Sequence, residues 1–217
     1  ADSYTTDGTG AGTFTSALTG LDFSTIYFYR AYATNIEGTS YGAEYSFLTT
    51  PAGTGTSGDP FQISTLPELQ WINEHSSYWS SHYIQTADID AADTQNWNSG
   101  SGFDPIGVDY DNPFRGSYDG QGHIISGLYI NRSNEPYAGL FAAKYNSPII
   151  NLGLVDVDIT GLYYVGALTG LLGHNSSVTG CYSTGIINGN SSGGLLGYAE
   201  GDVYNSYSRC SITGSYN

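Results

Sequence analysis

Three similar stretches occupy the last third of the chain: YAGLFAAKYNSPIINLGLVDVDITG at Tyr137–Gly161, VGALTGLLGHNSSVTGCYSTGIING at Val165–Gly189, and SGGLLGYAEGDVYNSYSRCSITG at Ser192–Gly214. Two columns of residues recur through them: Gly139/Ala167/Gly194 and Asn151/Gly180/Asn205. A period in the twenties is typical of solenoids, in which each coil buries its apolar face against the next. The repeat therefore predicts an all-β chain whose main body is a parallel β-helix.

The composition supports a β-rich, turn-rich protein. Of the 217 residues, 39% are hydrophobic and only 12% are charged, with 30 Gly and 20 Tyr. Twenty acidic residues against five Lys and Arg give a formal net charge of −15. Such a surface disfavours nucleic acid and anionic membranes, which need cations. The sequence contains no apolar run of 18 residues, so we expect no membrane span.

The first 50 residues are predicted to contribute about three strands, at Gly12–Leu21, Ile26–Asn35 and Ser40–Thr50. This segment resembles the last strands of a fibronectin type III domain, with Leu21 and Tyr27 in the roles of its corner residues. A complete sandwich of that type has seven strands. We therefore expect a partial Ig/fibronectin III-like β-sandwich over residues 1–50, completed by strands missing from an excerpt or by another chain.

A Gly/Ser/Thr/Pro-rich linker is predicted at residues 51–60, followed by the β-helix over 61–217. Ser64, Thr65, Pro67 and Glu68 form the pattern of a helix start. We predict one helix near 65–75, whose apolar stripe of Leu66, Leu69, Ile72 and Trp71 covers the first coil as a cap. Ile125 and Leu128 are matched to the columns of Ile149 and Leu152, which indicates an additional, diverged coil.

From Gly58 onwards the chain resembles secreted bacterial proteins that carry the GLUG motif. The residues in question are Asp59–Ile63, Leu66 and Leu69, Asp88–Asp90, Pro105–Gly107, Phe114–Gly116, Asp119–Ile125, Ala138–Phe141 and Gly193–Gly197. Ala142 and Ala167 depart from the motif at glycine positions. The resemblance implies a right-handed parallel β-helix on a bacterial cell surface or outside the cell, and it brings no catalytic residues with it.

Aliphatic residues recur at matching repeat positions and are predicted to stack as ladders inside the solenoid: Leu152, Val157, Ile159, Val178, Ile187, Leu195, Val203 and Ile212. Glycines are expected at corners, where the backbone needs a positive φ. Cys181 and Cys210 fall four positions apart in their repeats, an offset of ~13 Å along a strand. A disulfide needs Cα atoms within about 7 Å, so we predict two separate, mostly buried thiols.

Candidate chemistry is sparse. Clustered carboxylates could hold calcium, the one cofactor considered, at Asp88, Asp90, Asp104, Asp109 and Asp111, with solvated side chains and turn caps as the alternative. The four histidines show no metal-ligand spacing. Asp119–His123 is read as a tight corner rather than a phosphate loop. Asn-x-Ser sequons make Asn131, Asn175 and Asn190 glycosylation candidates.

Exposed aromatic residues are the main candidates for binding. Tyr163, Tyr164, Tyr198 and Tyr204, together with Tyr129 and Tyr216, are expected to face outward, for sugar stacking, for subunit contacts or simply through strand propensity. We expect a non-enzymatic extracellular structural or adhesive protein, self-assembling head to tail into a filament or layer. The alternatives are a glycan-binding adhesin module, with a patch at Trp71, Trp79 or Trp97, and a polysaccharide-degrading β-helix enzyme.

Overall fold

A computed structural model of the chain describes residues 4–10, 12–21 and 25–214, with the side chain of Leu48 excepted. The chain divides into two units, with the boundary between Thr50 and Pro51. Each unit has its own sheet structure. Tyr216, one of the expected outward tyrosines, lies outside the described residues.

The first unit contains an antiparallel hairpin of β1 (Ile26–Asn35) and β2 (Gly38–Leu48). Aromatic side chains meet across it: Tyr27 stacks on Phe47 with centroids 6.1 Å apart, and Tyr29 lies 5.8 Å from Tyr45. The strand predicted at Gly12–Leu21 is wrong, because no described residue of that segment pairs as a strand. The segment is mostly Thr, Ser and Gly, with Phe14, Leu18 and Leu21 as its large apolar residues, which gives little apolar surface for pairing.

The second unit is a parallel β-helix with these elements in chain order: β3 (Phe61–Ile63), α1 (Leu66–Glu74), β4 (His82–Gln85), β5 (Ile89–Asp90), β6 (Ser117–Asp119), β7 (Ile124–Ser126), β8 (Tyr129–Arg132), β9 (Phe141–Lys144), β10 (Pro148–Ile150), β11 (Gly153–Gly161), β12 (Thr169–Leu172), β13 (Ser177–Thr179), β14 (Tyr182–Asn188), β15 (Leu196–Ala199), β16 (Asp202–Tyr204) and β17 (Tyr207–Thr213). Short 3₁₀ turns lie at Ser76–Tyr78, Ala92–Asn96 and Asn98–Gly100.

Three sheets form the walls of the coil stack. The first has the order β3-β4-β6-β10-β13-β16, and the second has the order β5-β7-β11-β14-β17, with β8 also paired to β11. The third has the order β9-β12-β15. All pairings between these strands are parallel, so each coil lies directly on the coil before it, and the last three coils contribute a strand to each of the three walls.

The register confirms the repeat read from the sequence. Ile150, Thr179 and Tyr204 are direct partners, which gives the same intervals as the Asn151/Gly180/Asn205 column that follows them. These three column residues have φ values of 53°, 66° and 49°, as expected for a corner that turns through the left-handed region. None of the residues in the Gly139/Ala167/Gly194 column has a positive φ, so a left-handed corner does not explain why this column consists of small residues.

The interior is built from aliphatic ladders, as predicted. Ile149, Val178 and Val203 are paired in the first sheet, and Ile159, Ile187 and Ile212 are paired in the second. The matching of Ile125 to Ile149 is wrong: Tyr118 pairs with Ile149, and Ile125 pairs with Leu154. Because these strands are only about three residues long, an alignment of repeats that relies on apolar residues alone can assign a strand to the neighbouring sheet.

The N-terminal end of the stack is closed by α1, which confirms the predicted cap. Thr65 is its N-cap and Glu68 completes a capping box. Leu69, Trp71 and Ile72 are fully buried, and the Trp71 ring lies 5.4 Å from that of Phe61 in β3. The packing gives this nine-residue helix the stability that it would lack in isolation.

Residues 51–60, expected as a linker, form part of the second unit. Pro51 and Gly55 are buried, the amide of Gln62 donates to the carbonyl of Ala52, and the amide of His82 donates to Gly55. These hydrogen bonds hold the segment against the first coil. The glycines of this segment allow its backbone to pass close to β3, and they do not make it a flexible linker.

The two cysteines are separate, as predicted. Cys181 is fully buried beside Ser206, and Cys210 is half-buried four positions further along the register, opposite Gly185. Burial raises the pKa of the Cys181 thiol to about 11, so it is protonated and unreactive at neutral pH.

Lys144 in β9 is a buried cation. Its ammonium group donates to the carbonyls of Tyr145 and Ser147 and to the Ser147 hydroxyl, and it lies 5.5 Å from the ring centre of Phe114. No described carboxylate pairs with it. Burial lowers the pKa of Lys144 to about 7, because the charged form is poorly solvated there.

We predict that Gly170→Ala destabilises the β-helix by about 2 kcal/mol, since overpacking against backbone cannot relax easily. A Cβ at Gly170 would lie 2.7 Å from the Tyr164 carbonyl oxygen and 2.8 Å from the Ala138 nitrogen. Urea unfolding measures the loss. Gly58→Ala is the matched control, because a Cβ there meets nothing within 4 Å. Equal stability of the two variants would contradict the close approach.

We predict that stability rises with pH between about 7 and 9, and that Lys144→Met removes this rise. The unfolded chain holds the Lys144 proton up to its ordinary pKa near 10.5, whereas the folded chain releases it near 7. The unfolded state therefore binds more protons across this window, and the gain is on the order of 1–3 kcal/mol. Urea titrations at three pH values test it, and parallel curves for both proteins would contradict it.

Candidate binding surface

Three tyrosines from successive coils form a row beside the third sheet, which we call the tyrosine ladder: Tyr137, Tyr164 and Tyr198. The rings of Tyr137 and Tyr164 are stacked, with centroids 5.7 Å apart and planes 17° apart. Tyr198 continues the row at 5.3 Å from Tyr164, tilted by 58°. The ladder therefore runs along the axis of the coil stack, one ring per coil.

The register of the loops that precede the third-sheet strands sets the ladder. Ala138 pairs with Val165, which places the preceding residues, Tyr137 and Tyr164, in neighbouring coils. Gly170 lets the backbone of Tyr164 pass over β12. This contact explains why small residues are needed in the repeat: they give room for backbone to approach backbone.

Tyr164 adopts an unusual backbone conformation, with φ of 45°. The other non-glycine residues with positive φ in the described part of the chain are Asn, Ser, Gln and Asp, which tolerate this region better. A bulky residue held there costs on the order of 1–3 kcal/mol and persists only where its surroundings enforce it. The centre of the ladder is therefore a strained position.

Tyr145 lies next to the ladder on a floor formed by Ala143 and Leu171, where Tyr137 also packs. Its side chain is 7% exposed, and its hydroxyl group is buried with no hydrogen-bond partner among the described residues. Tyr110 packs edge-on against it, with centroids 5.6 Å apart. A buried hydroxyl without a partner is unfavourable by about 1–3 kcal/mol. The Trp71 indole N–H and the Thr169 hydroxyl are the other buried side-chain groups without a partner among the described residues.

Carboxylates surround these rings. Burial first, then Glu200 and Tyr110, raise the pKa of Tyr145 to about 12. Burial, then Tyr164, Asp109 and Asp111, raise the pKa of Tyr137. Glu200 is paired with His174 at 3.1 Å, and the guanidinium of Arg115 lies 5.9 Å from the Tyr145 ring centre. The surface thus combines aromatic rings with acceptor oxygens, the Arg115 cation and the His174 imidazole.

The predicted surface aromatics are only partly brought together. Tyr164 and Tyr198 belong to the ladder. Tyr163 and Tyr204 are exposed and have no ring neighbour among the described residues, and Tyr129 is half-buried. A second stack, Tyr182 on Tyr207 at 5.5 Å, was not singled out from the sequence. Tyr137 and Tyr145 were also missed, because nothing in a single sequence shows which strand-flanking tyrosines share a wall.

The proposed tryptophan patch is wrong. Trp71 is fully buried in the capping helix, with its ring stacked on His75 at 4.6 Å. Trp79 is half-buried and donates its indole N–H to the carbonyl of Ile72, and Trp97 packs near Phe103. These side chains hold the N-terminal coils together and do not form a common outer surface.

The calcium candidates do not converge. Within the described residues, no group of three His, Cys, Asp or Glu side chains could hold a metal ion. Asp88 accepts from the Ile124 amide and from His123, which lowers the pKa of Asp88. Asp90 and Asp109 cap the turns that follow them, Asp104 pairs with Arg132 at 3.1 Å, and Asp111 is exposed in the Asp109 turn. The turn-cap alternative therefore fits these residues better.

One serine–histidine pair was not anticipated. The Oγ atom of Ser117 lies 2.7 Å from Nδ1 of His82 on neighbouring strands of the first sheet. No described carboxylate hydrogen-bonds His82 to orient it, as a nucleophile–base pair requires. The Asp119–His123 segment forms the expected corner, with Asp119 accepting from the Gln121 amide. It borders a shallow depression of about 330 Å³ lined by Gln121, Asn151, Gly180 and Tyr182.

The three sequons lie at different depths. Asn131 is exposed in β8, Asn175 is exposed in the turn between β12 and β13, and Asn190 is half-buried. Asn175 has a φ of 57°, which fits an accessible tight turn.

Of the helices formed by described residues, none has the length and apolar character that crossing a membrane requires.

No family model matches this chain. It is 38% identical to Halomucin of Haloquadratum walsbyi over 173 residues, which are 77% of this chain and 2% of Halomucin. It is 35% identical over 122 residues to a protein of Evansella cellulosilytica that carries the provisional name Gly-rich membrane protein, covering 54% of this chain and 14% of that one. The chain thus spans only a small part of these relatives.

The β-helix is also found among solved structures. A provisionally assigned immunoglobulin A1 protease from Bacteroides ovatus superposes with a TM-score of 0.59 and 21% identity, covering 73% of this chain and 50% of that chain. At this identity the likeness shows the fold alone. The parallel β-helix predicted from the repeat is therefore both observed in this chain and present in a crystal structure.

Proposed function

We propose that the chain is a non-enzymatic structural or adhesive module of an extracellular surface protein, whose β-helix associates with further copies of itself. The names of the two relatives support a location at the cell surface, as does the acidic, tyrosine-rich exterior. The resemblance to GLUG-motif proteins belongs to the same proposal, supported by the glycine contacts beneath Tyr164.

The observation that carries the proposal is the open face of the last described coil. Val203 is 45% exposed, whereas Val178 one coil earlier is fully buried. Ile212 is 37% exposed, whereas Ile187 beneath it is fully buried. The interior ladders thus reach the surface with apolar side chains still uncovered.

The strands of this coil also have unpaired edges. β15, β16 and β17 are each the last strand of their sheet, so no further strand of the described residues pairs with their outward amides and carbonyls. Such an edge is a template for pairing with another chain. We propose that a second copy covers it.

The first unit offers a surface that could meet this edge. Phe28, Tyr29 and Tyr45 of the hairpin are 69%, 47% and 60% exposed. A two-stranded hairpin is marginally stable until further strands or an apolar surface cover it. Contact between the hairpin of one copy and the coil edge of the next would be heterologous, and such contacts generate filaments when they do not close into a ring.

The charge sets the condition for association. Two copies with a formal charge of −15 each repel one another at low ionic strength. The Debye length falls from about 10 Å at 0.1 M salt to about 3 Å at 1 M, so salt removes most of this repulsion. Apolar contact at the coil edge strengthens under the same conditions.

We predict that the chain is monomeric in low salt and associates reversibly above about 1 M NaCl, where the repulsion is screened. Sedimentation velocity measures the size distribution across a salt series. Ile212→Lys is expected to abolish association, since a lysine on an edge strand opposes pairing.

Ile186→Lys is the matched control. Ile186 is 50% exposed on β14, an inner strand of the same sheet, and the substitution changes the net charge by the same amount. It should leave association intact. A protein that stays monomeric at every salt concentration, or an equal effect of the two lysines, would contradict the proposal.

A further inference from the structure

We propose that the tyrosine ladder, with Tyr145 beside it, is a binding site for a neutral linear polysaccharide that lies along the axis of the coil stack. This site is on the third-sheet wall and does not involve the coil edge, so it goes beyond the association described above. Four observations carry it: the spacing of the rings, the strain at Tyr164, the unpartnered Tyr145 hydroxyl and the surrounding charge.

The spacing matches a repeating ligand. Successive ladder rings lie 5.7 and 5.3 Å apart, a distance comparable to one residue of an extended pyranose chain. Because Tyr137 and Tyr164 stack on each other, the ring faces between them are covered, and a ligand would meet the ring edges. A row of phenol edges offers a hydrogen bond and an apolar contact at every coil, as a sugar chain requires.

The strained backbone at Tyr164 indicates that keeping an aromatic ring at this position matters more than relieving the backbone strain. The chain places Asn or Gly at the other repeat position that needs a positive φ, namely Asn151, Gly180 and Asn205. At Tyr164 it keeps a bulky aromatic residue in the same region. Backbone strain of this kind is concentrated at ligand sites, where it is retained for function.

The Tyr145 hydroxyl gives the site a polar anchor. It is buried and makes no hydrogen bond in the described structure, so a sugar hydroxyl that reached it would satisfy a group that is now unpaired. Tyr110, which packs edge-on against Tyr145, is 62% exposed, so its ring can move aside as a ligand enters.

The charge around the site selects a neutral ligand. Asp109, Asp111 and Glu200 can accept hydrogen bonds from sugar hydroxyls, and they repel anionic polymers. A quaternary ammonium ligand fits less well, because it needs open ring faces and the faces between Tyr137 and Tyr164 are covered. His174 already neutralises part of the charge on Glu200 when it is protonated.

Calorimetric titration of the full chain in low salt tests the proposal with maltohexaose, cellohexaose and mannohexaose, and with a polygalacturonate hexamer as the anionic comparison. We expect at least one neutral oligomer to bind and the anionic one to bind at least tenfold more weakly. Absence of binding by all three neutral oligomers, or equal binding of the anionic one, would overturn the proposal.

Two variants separate binding from folding. Tyr164→Asn is expected to weaken binding at least tenfold with the melting temperature preserved, because Asn tolerates a positive φ. Tyr207→Asn is its matched control: Tyr207 is also a stacked tyrosine, at 5.5 Å from Tyr182, but it lies in the second sheet and is more exposed than Tyr164. Equal weakening by both variants would overturn the assignment of the site.

Tyr145→Phe is expected to affect stability and sugar affinity in opposite directions. Removal of a buried, unpaired hydroxyl should leave the melting temperature unchanged or raise it. If the hydroxyl anchors a sugar, the same variant should bind the neutral oligomer at least threefold more weakly. Unchanged affinity would remove Tyr145 from the site, and a lowered melting temperature would show that the hydroxyl has a structural partner.

Discussion

The parallel pairing of each coil with the coil before it is the constraint on which the rest of this structure depends. It fixes the register, so that Ile149 lies on Val178 and Ile159 lies on Ile187. The same register turns single residues into columns: left-handed corners at Asn151 and Gly180, buried aliphatics inside, and tyrosines outside. A surface feature that recurs in the sequence repeat is therefore spaced at the interval of one coil.

That constraint explains what could be predicted from the sequence. The repeat intervals, the separation of Cys181 from Cys210 and the capping helix all follow from periodic or local patterns, and the structure agrees with them. Short strands limited the prediction elsewhere. Ile125 was assigned to the wrong wall because a three-residue strand carries too little pattern to fix its partner.

The binding surface was harder to predict, for a physical reason. The strained φ of Tyr164 and the unpaired hydroxyl of Tyr145 are properties of three-dimensional packing and leave no trace in residue type. The tryptophans, which composition favours as sugar platforms, are used instead to fill the large N-terminal core around Trp71. Tyr137 and Tyr145 were overlooked for the same reason, since only the register shows that they share a wall.

Stacking also creates the feature that we relate to function. A coil stack buries apolar surface only where another coil covers it, and none of the described residues covers the coil at β16 and β17. The first coil, by contrast, is closed by α1. In the proposed self-association, the acidic exterior would limit contact at this edge at low salt while leaving its apolar side chains available.

Amide hydrogen exchange on β17 in low and high salt tests this account most directly. We expect the outward amides of β17 to exchange rapidly in the monomer and to become as protected as those of β14 when large particles form. If large particles form while β17 stays unprotected, the coil edge is not the contact, and the account of self-association through open strand edges is wrong.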